Sequence, residues 1–199
     1  MSTPVIRPAT EADRDALYDI CVRTGASGAD ARHLLHDHRL HGHLWAGQYL
    51  TFAPEFALVA ERDGAVVGYV LGALDTAAFE ARLRTDWWPA LQAEHPLPGT
   101  GTPLDVELIG RLHRPDRTAD TVIAKYPSHL HINLLPPAQG SGLGRAMMDA
   151  LFGRLRGAGS TGVHLGVSPH NTHALGFYEH LGLRRHDHDG GVLFTQRFA

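Results

Sequence analysis

Gln139-Gly140-Ser141-Gly142-Leu143-Gly144-Arg145 is the stretch on which the reading of this chain turns. Ahead of it, Leu130 to Leu135 reads as a buried strand; from Leu143 to Arg156 the apolar spacing is that of an amphipathic helix. Three glycines at alternate positions let backbone N–H groups crowd around an anion, and the helix start adds unpaired donors at the positive end of its dipole. The stretch therefore reads as a pyrophosphate cradle between strand and helix. Two familiar cradles do not fit. A P-loop ends in Gly-Lys-Ser/Thr, whereas Gly144 is followed by Arg145 and Ala146. A dinucleotide fingerprint spaces its glycines G-x-G-x-x-G, and here the third comes one residue early. On the glycines alone, an ordinary strand-to-helix turn is the commoner reading.

A second pattern downstream changes that balance. Asn171, Ala174, Phe177, Tyr178, Gly182 and Leu183 spell N-x-x-A-x-x-F-Y-x-x-x-G-L. Together with Q-x-x-G-x-G at Gln139, Gly142 and Gly144, this resembles the Gcn5-related N-acetyltransferase (GNAT) superfamily, with a helix and a strand between the two motifs. The resemblance implies coenzyme A as the source of the pyrophosphate and acetyl-CoA as co-substrate.

The totals set limits on other classes. A chain of 199 residues is expected to form a single domain, 1–199, with a sizeable core. Its net charge of −3 gives no broad attraction to nucleic acid or acidic membranes, so phosphate binding has to come from local geometry. The one cysteine, Cys21, excludes an internal disulfide, fits a reducing cytoplasm and falls on the apolar face of the first helix. No secretory leader and no bilayer-spanning stretch is legible, and a cytoplasmic protein is expected. Of the fifteen histidines, five lie between His33 and His43. His33 and His36 could share a helix face as metal ligands, but no cysteine is nearby and Gly42 breaks the pattern, so no metal is expected.

Along the chain, a short strand at Val5 to Arg7 leads into a helix that Thr10 and Asp13 can cap, ending at Gly25. The periodicity predicts a second helix from about Ala29 to Leu40, then a loop from His41 to Pro54. In that loop Trp45, Tyr49 and Phe52 read either as a lid over the core or as a wall of an acceptor pocket. Phe56 to Glu61, the Asp63-Gly64 turn and Val66 to Asp75 predict a hairpin, with Asp75 ending a strand face that is otherwise apolar. Residues 76–127 read as an insertion before the central strand. It holds helices at about Ala77 to Glu94, bent or divided at Pro89, and at Leu104 to Leu112. His129 to Leu135 is the central strand, Gly162 to Val167 the next, and Thr172 to Leu181 the next helix. Leu183 to Arg185 and Val192 to Phe198 complete the sheet around a polar turn at His186 to Asp189. The order points to an α/β fold with a mixed, mostly antiparallel central sheet flanked by helices.

A closer resemblance covers most of the chain. Tyr18-Asp19-Ile20-Cys21 with Thr24-Gly25, Tyr49-Leu50-Thr51 with Pro54-Glu55, and Gly68-Tyr69 with Gly72-Ala73-Leu74-Asp75 are similar to the C-terminal acetyltransferase-like domain of animal O-GlcNAcases. Bacterial stand-alone relatives of that domain are more similar still. The resemblance implies the acetyltransferase fold and not the glycosidase activity, which in those proteins belongs to a separate domain. The animal domain's cradle lacks the usual glycines, which this chain keeps.

The resemblance implies transfer of an acetyl group from a thioester to an amine. Main-chain groups of Gly140, Ser141, Gly142, Leu143, Gly144 and Arg145, preceded by Gln139, would hold the pyrophosphate. Leu134 and Leu135 would offer backbone groups to the pantetheine arm where the central strand splays from its neighbour. A backbone N–H aimed at the thioester oxygen would steady the charge that develops there. Arg145 either adds charge or faces solvent. Asn171 either contacts the arm or caps its helix. Tyr178 corresponds to the family tyrosine that protonates the departing thiolate, and its ordinary pKa of about 10 keeps that proton in place; alternatively Phe177-Tyr178 anchors the helix. Asp75 and His131 stand level as candidates for the base, with Glu107 third, since His129, His131 and Asn133 share one strand face. The acceptor is a small-molecule or peptide amine, and a homodimer is possible. The competing classes are a non-catalytic acyl-CoA-binding module and a histidine-based metal protein.

Overall fold

The computed structural model describes residues 2–188 and 190–198. Strand β1 (Val5–Pro8) enters the fold at the sheet edge. Asp13 accepts the Thr10 backbone N–H at 2.8 Å and closes a bidentate pair with Arg7 at 2.8 Å, which fixes the start of helix α1 (Arg14–Arg23). The Arg7 guanidinium holds the Asp13 carboxyl down at about 2. Strands β2 (Ala57–Arg62) and β3 (Ala65–Ala73) form the expected hairpin. Its two turn residues, Asp63 and Gly64, both have positive φ, at 52° and 79°, as a two-residue hairpin turn demands.

The sheet has seven strands in the order β1-β2-β3-β4-β5-β7-β6, with β4 (Ser128–Leu134), β5 (Gly162–Val167), β6 (Arg184–His188) and β7 (Gly191–Arg197). Every neighbouring pair is antiparallel except β4 with β5, which run parallel. This is the mixed, mostly antiparallel sheet that the order of elements implies. The β3 side chains divide by the two-residue period. Gly72 turns to helix α8 (Leu143–Gly157), where an added Cβ would sit 3.0 Å from Leu151. Tyr69, Leu71 and Ala73 face the other way, and their register partners Asn133, His131 and His129 share that face. Helix α1 packs on β3 and β4 from the side opposite α8.

Three sequence expectations need correction. Ala29 to Leu40 is not a helix: only a 3-10 turn at Arg32–Leu34 forms, and helix α2 (Arg39–Trp45) and helix α3 (Gly47–Phe52) occupy the expected loop instead. The reason is long-range. Asp105 accepts the His36 and Asp37 backbone N–H groups at 3.0 and 3.2 Å, holding that segment extended, and the Asp37 carboxylate takes the Arg39 N–H at 2.8 Å. Strand β3 ends at Ala73, and Asp75 caps helix α4 (Thr76–Asp86) by accepting the Ala78 N–H at 3.0 Å. His186 to His188 belong to β6 rather than to a turn; Asp189 lies outside the described residues.

The insertion is helical throughout its middle. Helix α4 stops at Trp87, helix α5 (Trp88–Glu94) restarts with Pro89 in its first turn, and helix α6 (Pro103–His113) opens on a Thr102–Asp105 capping box. Helix α7 (Asp120–Ile123) is too short to show a period in the sequence. Helix α9 (Thr172–His180) closes the list of helices. No helix among the described residues is long and apolar enough to cross a membrane.

Candidate active site at the split between two strands

The ladder between β4 and β5 contains only two pairs, Ser128 with Val163 and His129 with His164. Beyond them the strands part, and a cavity of about 990 Å³ fills the gap. Leu130, His131, Ile132, Asn133 and Leu134 line it on one side, Leu165, Gly166 and Val167 on the other. On β4 the bonds to neighbours alternate. The Leu135 N–H is taken by the Val67 carbonyl at 2.9 Å, so the odd-numbered residues point their backbone groups at β3. Those of Ile132 and Leu134 therefore face the split. This revises the expectation for the pair Leu134 and Leu135: Leu135 is committed to β3 and does not line the cavity, and Ile132 takes its place. The Leu134 carbonyl already accepts the Gln139 side-chain amide at 2.9 Å, which leaves its N–H for a ligand. The same alternation was legible in the sequence, but its phase was not.

The glycine stretch stands at the mouth of this gap. Gly140 and Gly142 have φ of 74° and 80°, and a Cβ built on either would meet nothing within 4 Å, so open space lies over left-handed backbone there. Gly144 has a different reason: an added Cβ would sit 3.0 Å from the Phe177 ring, so this glycine lets α8 approach α9. Gln139, Gly140, Gly142, Gly144 and Arg145 line the cavity. Ser141 and Leu143 do not; the Ser141 hydroxyl turns back to the Ala138 carbonyl at 3.3 Å, and Leu143 is buried in the core. Their backbone amides remain part of the turn. Arg145 is exposed and donates to the His180 carbonyl at 3.2 Å. Asn171 combines its two readings, capping α9 through the Ala174 N–H at 3.1 Å while lining the cavity. The loop Thr24 to Ala29, which the motifs did not mark, roofs the gap. Ser27 meets Ser168 across it at 3.3 Å, and Thr24 bonds the Asn133 carboxamide.

Tyr178 lines the same cavity yet is only 5% exposed. Burial raises its pKa, so the phenol keeps its proton. Its hydroxyl makes no hydrogen bond among the described residues, and its ring packs on Phe194 at 5.3 Å.

A second cavity, of about 980 Å³, lies on the α3 and insertion side of the sheet. Leu130, His131, Leu165 and Gly166 line both cavities, so they form the wall between them. Three histidines gather at that wall. His129 bonds the Tyr49 hydroxyl through Nε2 and Thr76 Oγ1 through Nδ1, each at 2.8 Å. Thr76 donates its only hydroxyl proton to the Pro127 carbonyl at 2.7 Å, so His129 Nδ1 carries the proton and Nε2 accepts from Tyr49. His164 donates from Nδ1 to the Tyr126 carbonyl at 2.8 Å. His131 makes no side-chain hydrogen bond among the described residues. Burial and the nearby His164 push it down to about 4, so its ring is neutral. Asp75 and Glu107 line neither cavity: Asp75 is exposed on its cap, and Glu107 pairs with Arg111 at 3.2 Å on the surface. Of the candidate bases, the fold brings His131 alone to the split. Trp45 and Tyr49 line the second cavity, whereas Phe52 packs against Phe79 and Trp87. Among the described residues, no three His, Cys, Asp or Glu side chains are grouped so as to hold a metal ion.

The profile of the acetyltransferase (GNAT) family matches residues 29–183. The chain belongs to the acetyltransferase (GNAT) family. Its fold is shared with the crystal structure of SsHAT, at 38% identity and a TM-score of 0.91 over 100% of both chains. In sequence it is similar to rat Protein O-GlcNAcase, 24% identical over 180 residues. That match takes in 89% of this chain and 20% of the rat protein, so the GNAT chain spans about a fifth of the length of that relative. The structure of yncA from Salmonella typhimurium with its cofactor acetyl-CoA has the same fold, at 17% identity, a TM-score of 0.58, and coverage of 98% of this chain and 94% of that one.

Proposed function

We propose that this chain is an N-acetyltransferase that moves an acetyl group from acetyl-CoA to an amine by direct attack on the thioester. When bound, acetyl-CoA supplies an acetyl group activated by its bond to sulfur. The residues present fit it. The amides of Gly140 to Arg145 would hold the pyrophosphate at the start of α8, and the exposed backbone edge of Ile132 and Leu134 would take the amide-bearing arm. A ring nitrogen of His131 accepts the proton that the attacking amine sheds. The Tyr178 hydroxyl gives a proton to the departing sulfur. Burial that raises the phenol's pKa raises a thiolate's proton affinity in the same cleft, so the two stay matched.

The observation that carries this reading is the placement of His131 in the wall shared by the two cavities, beside strands that part next to a glycine cradle. The acceptor, a small-molecule or peptide amine, would enter through the second cavity. The test is calorimetry with acetyl-CoA followed by assay of thiol release against a panel of amines. Binding with amine-dependent release supports the enzyme. Binding with no release from any amine makes the chain an acyl-CoA-binding module instead.

A further inference from the structure

The second cavity carries more information about the acceptor than the motifs do. Part of its lining is apolar and aromatic. The Tyr49 and Phe79 rings stack at 4.8 Å, and Trp45, Leu83 and Trp88 stand in the same lining. Into it projects Glu80, half-buried, which uses Oε1 to accept the Thr118 N–H at 3.0 Å. Glu80 makes no ion pair among the described residues, yet its charge acts on Tyr49 and on His164 at the wall where the cavities meet. The neighbouring imidazoles cannot neutralise it, because burial keeps His129, His131 and His164 uncharged. A partly desolvated carboxylate with no cation is a place for one. Gln48 adds a second acceptor: its amide nitrogen is tied to the Leu44 carbonyl at 2.7 Å, while its carboxamide oxygen is buried without a donor.

The outer lining is neutralised within itself: Arg111 pairs with Glu107 at 3.2 Å and with Asp116 at 3.6 Å, and Arg117 pairs with Asp120 at 2.6 Å. Among the described residues the lining therefore offers a second ammonium no carboxylate free of a cation besides Glu80, which disfavours polyamines and lysine-rich peptides.

The geometry points to an arylalkylamine-type acceptor: one primary ammonium, held by the Glu80 carboxylate, on a compact aromatic body that lies against Tyr49, Phe79 and Trp88. This inference rests on the acetyl-transfer reading above and narrows its acceptor. The ammonium first passes one proton through His131 to solvent, which frees the nitrogen lone pair. As the C–N bond forms and the C–S bond breaks, the nitrogen gives up a second proton to His131. The sulfur takes the Tyr178 proton and leaves as the thiol, the phenol recovering that second proton, so that one proton is released overall. The atoms balance without a further reactant.

The experiment compares tryptamine, spermidine and a lysine-containing peptide as acceptors, measuring thiol release by the protein and by Glu80→Gln. The amide of the variant still accepts the Thr118 N–H, so only the charge is lost. Tryptamine should exceed the other two in kcat/KM by about tenfold or more. Glu80→Gln should raise KM for tryptamine about tenfold with kcat nearly constant. Calorimetry of tryptamine against the unaltered protein with CoA present reads the same site should the variant fold poorly, and saturable binding is the expected result. Preference for spermidine or the peptide, an unchanged KM, or no tryptamine binding overturns the inference. If acetyl-CoA binds and tryptamine releases no thiol, this inference falls and the cofactor site stands. If acetyl-CoA does not bind, the acetyl-transfer reading falls and takes this inference with it.

Discussion

The Tyr49 hydroxyl lies 2.8 Å from His129 Nε2, and that contact separates the two histidines of strand β4. With Thr76 on its other nitrogen, His129 is locked in one tautomer and has no lone pair to offer a substrate. His131, two residues on and on the same face, has both ring nitrogens uncommitted among the described residues. The two imidazoles are alike in sequence and unlike in chemistry because of a helix that reaches the sheet from eighty residues away.

Replacing His131 with Gln should therefore lower kcat by about 10²- to 10⁴-fold, the usual worth of a positioned proton acceptor, while leaving the acetyl-CoA Kd unchanged. Steady-state thiol release and calorimetry read the two quantities. A variant within twofold of the parent in kcat would remove His131 from the mechanism.

Tyr49→Phe should act on stability. It leaves His129 Nε2 buried without a donor, at a cost of about 1–3 kcal/mol. Urea unfolding measures this directly, and a variant as stable as the parent would contradict the assigned tautomer.

Tyr178→Phe should slow turnover and leave both stability and acetyl-CoA affinity nearly intact, because its hydroxyl has no partner among the described residues. Unchanged turnover would refute the proton-donor role and leave Tyr178 as an anchor on Phe194.

The buried histidines also set a pH dependence for folding. In His129, His131 and His164, and in His41 and His43, the folded-state pKa lies below the unfolded value of about 6.5. Above that pH both states are neutral and the groups contribute no slope. As pH falls below about 6.5 the unfolded chain takes up protons that the fold resists, so stability drops toward pH 4, by at most about 1.4 kcal/mol per pH unit for each group. Denaturant unfolding at pH 7 and pH 5 should show the fall, and His131→Gln should reduce it. Equal stability at the two pH values would contradict neutral burial.

Much of the sheet was readable because its strands are apolar and its turns carry their own signals. Asp63-Gly64 and the cradle glycines mark places where the backbone needs positive φ, and those needs are local. The segment from Ala29 to Phe52 was misread because its logic is tertiary. Gly42 and Gly47 look like helix breakers, yet both lie in helices. An added Cβ would come within 2.3 Å of the Tyr18 ring at Gly42 and 2.1 Å of its hydroxyl at Gly47. The partner that demands those glycines sits on α1, invisible to a local period. Asp75 misled for a similar reason: a carboxylate after an apolar strand reads as a site residue until the helix it caps is seen. On the cofactor side the motifs named most of the lining. In the second cavity Glu80, Gln48 and His164 lacked any motif, since they come together only when the insertion folds over the sheet.

The central claim is that amides around Gly140 and Gly142 grip a diphosphate. Calorimetry of the folded protein with acetyl-CoA and with S-acetylpantetheine, which lacks the diphosphate, tests it most directly. The account predicts saturable binding of acetyl-CoA, weakened by Gly142→Ala because the added Cβ would enter the open space that the diphosphate needs, and at least tenfold weaker binding of S-acetylpantetheine. Equal affinity for the two ligands, or no heat from acetyl-CoA at millimolar concentration, would contradict it.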